Sequence, residues 1–174
     1  MHIQNVEFKA RVEALDKYEQ KLIALGATRI GVYHQVDTYF NATVARLKLR
    51  ESDGQNSLIH YHRADTPTAK ESDIIYYQHD PNPALKAILT TQLGVKVVVD
   101  KVRTIYAIDS VRFHLDVVQQ LGIFIEVEAM LENPNHSQAD LKAQCDRYFE
   151  HFELEKSQLV DRSYSDLVLA KKTP

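Results

Sequence analysis

The sequence predicts an α+β fold built on an antiparallel sheet, and three observations carry that prediction. Eight segments alternate apolar and polar residues with the period of a strand, helical periodicity appears in only four places, and the connections are short and hairpin-like. With 174 residues, 44% of them hydrophobic and 26% charged, the chain suits one domain over residues 1–174 and is not composed like a disordered one.

The strand period covers Ile3–Val12, Thr28–Phe40, Ala45–Glu51, Ser57–Arg63, Asp73–Gln78, Lys96–Ile108, Val111–Val118 and Phe124–Leu131. Turn residues punctuate these runs at Asp53-Gly54, Pro67, Pro81-Asn82-Pro83, Gly94, Gly122 and Asn133-Pro134. Ala14–Leu25 reads as a helix, with Leu15, Tyr18, Leu22 and Leu25 on one stripe and Gly26 at its end. Asn82-Pro83 is a cap followed by a first-turn proline, leading into Leu85, Ile88, Leu89 and Leu93 with Gly94 after them. Ser137 caps a third helix that runs to about Phe152, and a short fourth covers Tyr164–Lys171.

Lys and Arg number 21 against 24 Asp and Glu, a net charge of -3, which argues against a surface built wholly for nucleic acid. No apolar run approaches the roughly 18 residues of a membrane span. The start, Met1-His2-Ile3-Gln4-Asn5, lacks the layout of a secretory signal. Cys145 is the lone cysteine and has no internal disulfide partner. A cytoplasmic protein with neither membrane nor nucleic-acid partner is the expectation.

The charges fall on one side of the strands. Glu7, Lys9 and Arg11 alternate with Val6, Phe8, Ala10 and Val12; Arg46, Lys48 and Arg50 alternate with Leu47 and Leu49. Arg112, His114 and Asp116 share a face, as do Glu126 and Glu128, Lys101 and Arg103, and Arg63 with Tyr61. An open sheet showing this face to water accounts for the periodicity. A closed barrel with the face inside is the sharper reading, and explains why like charges crowd one short strand despite their mutual repulsion. Buried ions cost several kcal/mol each unless paired, so such a lumen would hold water or an opposite charge. A polyphosphate would satisfy Lys9, Arg11, Arg46, Lys48, Arg50, Arg63, Lys101 and Arg103 together, because guanidinium forks and ammonium groups both bind phosphate oxygens. Carboxylates beside it imply an intervening hard cation, Mg²⁺ or Mn²⁺.

These residues resemble a known family. Asn5-Val6-Glu7-Phe8-Lys9-Ala10-Arg11 is similar to the N-terminal Glu-x-Glu-x-Lys strand of the CYTH superfamily, the triphosphate tunnel metalloenzymes. The likeness continues through Gln35–Phe40, Arg46–Arg50, Tyr61-His62-Arg63, Lys101-Val102-Arg103, His114-Leu115-Asp116 and Phe124–Glu128, nearly end to end. It is nearest to the class IV adenylate cyclase-like branch, with thiamine triphosphatase and tripolyphosphatase as relatives. The resemblance implies an eight-stranded antiparallel β-barrel, a tunnel with helices packed outside. It also implies metal ligands Glu7, Asp116, Glu126 and Glu128; the eight cations named above as phosphate contacts; and Lys9, Lys101 and Arg103 as catalytic residues. The implied substrate is ATP, thiamine triphosphate or tripolyphosphate, and relatives pair as homodimers. Two positions depart from the pattern. Asn5 replaces the first motif glutamate, offering a carbonyl oxygen without charge, and Arg63 replaces a common lysine. An enzyme, a non-catalytic polyphosphate or nucleotide-binding module and an ordinary domain with a solvated charged face are the three functional readings.

Other residues read as structural. His60 and His62 share a strand face but lack further ligands, Cys145 suits helix packing, and the strand tyrosines suit packing too. His114 lies on the charged face within reach of a phosphate, and Asp37 and Tyr39 serve to position their strand.

Overall fold

The computed structural model describes residues 2–53, 55–63, 70–131 and 137–172. Eight strands run β1 (His2–Val12), β2 (Thr28–Phe40), β3 (Arg46–Ser52), β4 (Gln55–Arg63), β5 (Lys70–His79), β6 (Val95–Ile108), β7 (Val111–Val118) and β8 (Gly122–Met130). Four α-helices accompany them: α1 (Asp16–Ala24), α2 (Pro83–Leu93), α3 (Gln138–His151) and α4 (Tyr164–Lys172). Each strand and helix expected from periodicity is present. Pro67 and Asn133-Pro134 lie outside the described residues.

The strands close into a barrel in the order β1-β5-β4-β3-β2-β6-β7-β8, with β8 returning to β1. Every pairing is antiparallel. Closure leaves no unpaired edge and commits one face of the sheet to the inside. The charged face is that inner face. Short turns set the registers: Asp109, at φ 48, makes the tight link between β6 and β7. Near the start of β2 the register slips between Arg29 and Gly31, and a Cβ on Gly31 would lie 2.7 Å from the Tyr33 hydroxyl, so the ring lies directly over the glycine.

The apolar faces of β1, β7 and β8 turn outward, where α1 and α3 cover them. Phe8, Ala10, Phe113, Ile125 and Val127 pack there against Tyr18, Leu22, Leu141, Cys145, Tyr148 and Phe152. Phe113 meets Tyr148 edge-on at 4.7 Å between centroids. Ser137 and Asp140 form a reciprocal capping box at the start of α3. Burial pushes the Cys145 thiol up to about 12, and its Sγ donates to the Val6 carbonyl, so this cysteine is an inert packing residue.

A second apolar cluster sits at one end of the barrel. Val97, Val99, Val118 and Phe124, all on inward-facing positions, meet Tyr164 and Val168 of α4, which closes that end. Helix α2 departs from its sequence pattern. It is capped by Asn82, whose Oδ1 accepts from the Ala84 N–H at 2.9 Å, yet none of its residues is buried and Ile88 is 59% exposed. It links β5 to β6 across the outside through Asn41, which donates to the Leu93 carbonyl, and through a Lys86–Glu51 ion pair. No helix among the described residues is long and apolar enough to cross a membrane.

Candidate active site in the barrel lumen

Alternation on the strands sends charged side chains into a cavity of about 260 Å³, lined among others by Glu7, Lys9, Lys48, Arg50, Lys101 and Arg103. The cations are held by carboxylates in two groups. On the β2–β3–β6 wall, Asp37 accepts from Arg50 through Nε at 2.7 Å and Nη2 at 2.8 Å, from Lys48 Nζ at 3.0 Å and from Lys101 Nζ at 2.9 Å. On the β1–β6–β7–β8 wall, Arg103 forks onto Asp116 at 2.7 and 2.6 Å and reaches Glu126 at 3.2 Å, while Lys9 pairs with Glu126 at 2.9 Å. Such charge-assisted pairs offset the cost of taking ions out of water.

The register explains these partners. Asp37 stands opposite Arg50 and Tyr39 opposite Lys48 between β2 and β3; Arg103 stands opposite Asp116 between β6 and β7. Lys9 faces Glu126 and Glu7 faces Glu128 between β1 and β8. Directly opposed residues share a face, so the Asp37–Arg50, Arg103–Asp116 and Lys9–Glu126 pairs follow from strand pairing, while Lys48 and Lys101 reach Asp37 diagonally.

Burial and charge compete at Asp37, Asp116, Glu126 and Lys101. Burial pushes Asp37 upward, but Arg50, Lys101 and Lys48 together hold its carboxyl well below the usual range. Glu126 is lowered in the same way by Lys9, Arg103 and His114, and Asp116 by Arg103. Lys101, 1% exposed, is pushed down to about 7 by burial and by Arg50, Arg103 and Lys48, with Asp37 opposing them. Tyr164 donates to Asp116 at 2.7 Å, and burial beside Asp116 and Glu126 raises its hydroxyl well above the ordinary value.

Lys9, Lys48, Arg50, Lys101, Arg103, Glu7, Glu126 and Glu128 are thus brought to one cavity. Three other expected site residues are not among its lining. Arg11 lies over the Phe124 ring at 4.6 Å and donates to the Leu121 carbonyl; Arg46 bridges to Asp166 of α4 at 3.0 Å. Asp116 is wholly buried, with both oxygens accepting from Arg103 and one also from Tyr164. The Arg63 side chain lies outside the described residues, although its backbone ends β4.

Sequence reasoning missed Tyr164 and Ser163, which line the cavity from the C-terminal segment, and gave Asp37 only a strand-positioning role. A lone tyrosine in a short helix carries no signal. Asp37 was legible in principle, as the one acid among the inward positions of its cation-rich wall.

The metal expected from the sequence can be tested against the donors present. Glu7, Glu126 and Glu128 share one wall, and Asn5, 1% exposed, donates its amide to Glu128 while its Oδ1 is buried without a partner. Carboxylates with a neutral carbonyl oxygen make a hard donor set that suits Mg²⁺ or Mn²⁺. Among the described residues no three acidic, His or Cys side chains are already grouped at coordinating distance, because Glu126 turns to Lys9, Arg103 and His114.

Comparison with known proteins agrees with this architecture. The model of the CYTH domain family matches residues 4–164. The putative adenylate cyclase of Methanocaldococcus jannaschii is 25% identical over 171 residues, covering 93% of this chain and 97% of that protein. Among solved structures, the PH1012 protein of Pyrococcus horikoshii superposes with a TM-score of 0.80 at 23% identity, covering 94% of this chain and 98% of its own. A putative adenylate cyclase of Vibrio parahaemolyticus gives a TM-score of 0.78 at 19% identity, covering 95% and 97%.

Proposed function

The chain belongs to the CYTH domain family, and from that premise we propose that its lumen binds a triphosphate together with a divalent cation and turns it over, with ATP cyclised to cyclic AMP and pyrophosphate. The observation that carries this reading is the convergence of Lys9, Lys48, Arg50, Lys101 and Arg103 on one cavity that is sealed at one end. Five cations in so small a volume suit a compact polyanion. The name of the Methanocaldococcus relative supports the cyclase reading.

In this reading Lys9, Lys101 and Arg103 hold the phosphate chain, and Arg50 and Lys48 extend the cationic wall. The 3′-hydroxyl oxygen bonds to the α-phosphorus as the bond from that phosphorus to the bridging oxygen breaks, and the hydroxyl proton passes to solvent. Arg103 and Lys101 neutralise charge that develops on the departing pyrophosphate. Asp116, tied to Arg103 and Tyr164, sets the guanidinium plane. Glu7, Glu126 and Glu128, with the Asn5 carbonyl, would hold Mg²⁺ or Mn²⁺. A bound divalent cation supplies charge stabilisation at the attacking and leaving oxygens.

The test is product identification after incubating the pure protein with ATP and Mg²⁺ or Mn²⁺. Cyclic AMP and pyrophosphate are expected. ADP and phosphate, or turnover of tripolyphosphate or thiamine triphosphate alone, replaces the cyclase with a phosphohydrolase acting at the terminal phosphorus. Asn5 favours one further reading, since it places a neutral amide where the family motif has a carboxylate. Tight tripolyphosphate binding without turnover under any divalent metal would make the lumen a binding module.

A further inference from the structure

Asp37 is a fully buried acid in the middle of the wall assigned above to an anion. Simple repulsion makes that unfavourable for the ligand. Its contacts explain its presence. Arg50 grips both carboxylate oxygens, which fixes the guanidinium plane, and the ammonium groups of Lys48 and Lys101 converge on Oδ2 from opposite sides. Those lysines sit on β3 and β6, which do not touch, because β2 runs between them. Asp37 therefore ties together cations of two strands that β2 separates. The geometry points to Asp37 as a positioning residue: by pairing Lys48, Arg50 and Lys101 on one carboxylate, it fixes the direction of these cations towards the lumen and offsets their mutual repulsion.

The surroundings of Lys101 support this. Arg50 and Lys48 from β3 and Arg103 from its own strand disfavour its proton, as burial does; Asp37 from β2 favours it, and Asp116 on β7 is the next acid facing the same space. Removing Asp37 would leave four cations in mutual repulsion, and burial already disfavours the proton on Lys101, which is 1% exposed. Tripolyphosphate binding would then weaken even though a negative charge had been taken out of an anion site.

This inference rests on the polyphosphate reading, and its test separates the two. Tripolyphosphate with Mg²⁺ is titrated calorimetrically into the full-length wild type and Asp37→Asn at acid and alkaline pH, and the Lys101 side-chain nitrogen is followed by NMR through a pH titration without ligand. In Asp37→Asn the Lys101 midpoint should fall, and the dissociation constant should rise about tenfold at pH 8, one pH unit's worth of lost ammonium, with a smaller loss at pH 6. Equal or tighter binding by the variant, or an unmoved Lys101 midpoint, overturns the role of Asp37. If Lys101 shifts while the wild type fails to bind tripolyphosphate, the brace stands and the ligand assignment falls. Should Asp37→Asn not fold, Asp37→Glu carries the test, since it keeps the charge but displaces it by one methylene. A Lys101 titration identical to wild type in that variant overturns the proposal.

Discussion

Tyr164 donates to an aspartate that already serves an arginine, and its ring carries the Lys9 ammonium 4.1 Å from its centroid. A single phenol thus supports cations of β1 and β6. Tyr164→Phe keeps the ring but strips one partner from a buried carboxylate, and should lower stability by about 1–3 kcal/mol, read from the denaturant midpoint at constant slope. Glu128→Ala should abolish metal-dependent turnover while circular dichroism stays near wild type, with a modest fall in melting temperature because the buried Asn5 amide loses its acceptor. Loss of the fold instead would make Glu128 a structural residue. Which side chains face inward was legible at this scale, since alternation alone selects Lys9, Lys48, Arg50, Lys101 and Arg103. What they touch was not. Arg11 and Arg46 have the same periodicity, yet each lies near a barrel end, where the Leu121 carbonyl and Asp166 of α4 claim them.

Helices α3 and α4 both cover apolar surface, but they were not equally readable. The capping box of α3 and its stripe of Leu141, Cys145 and Tyr148 announce the element and its buried face. Helix α4 is short, and its buried residues Tyr164, Ser165 and Val168 make no clean stripe because it covers the end of a barrel, not the flank of a sheet. Its attachment depends on Val168 reaching the cluster around Val97, Val99 and Phe124. Val168→Asp would bury an unpaired carboxylate there and should detach α4. Hydrogen exchange should then show lost protection in α4 and at the barrel end around Phe124, with α3 amides unaffected; protection unchanged in all three would mean that α4 is held by its polar contacts alone. The apolar residues of α2 show the reverse failure, a clear sequence stripe whose Leu85, Leu89 and Leu93 are only half-buried.

Barrel closure belongs to the whole molecule and is the feature local pattern could not decide, because an open sheet with a wet face has the same alternation. The like charges of Arg46, Lys48 and Arg50 on one strand were the clue, and Asp37 and Asp166 are the acids that neutralise them. Closure also sets the pH response. Asp37, Asp116 and Glu126 have folded values below their ordinary 3.8, 3.8 and 4.5. A depressed carboxylate contributes stability that is complete above its unfolded value and is lost as pH falls through the folded one. Melting temperature should therefore drop below about pH 4. Lys101 acts in the opposite sense: its folded value near 7 lies beneath the ordinary 10.5, so its unfavourable contribution fades as pH climbs between them. A melting temperature that holds steady from pH 5 down to pH 2 would show that the buried carboxylates are not ionised in the folded protein.

The seam between the first and last strands has a kinetic consequence. Asn5 and Glu128 meet across it although 123 positions separate them. Contacts of such long range form late, after the chain has surrendered most of its freedom. A growing polypeptide cannot assemble the Lys9–Glu126 pair until its final strand has been synthesised, so for most of translation the ionic interior lies open to the surrounding water.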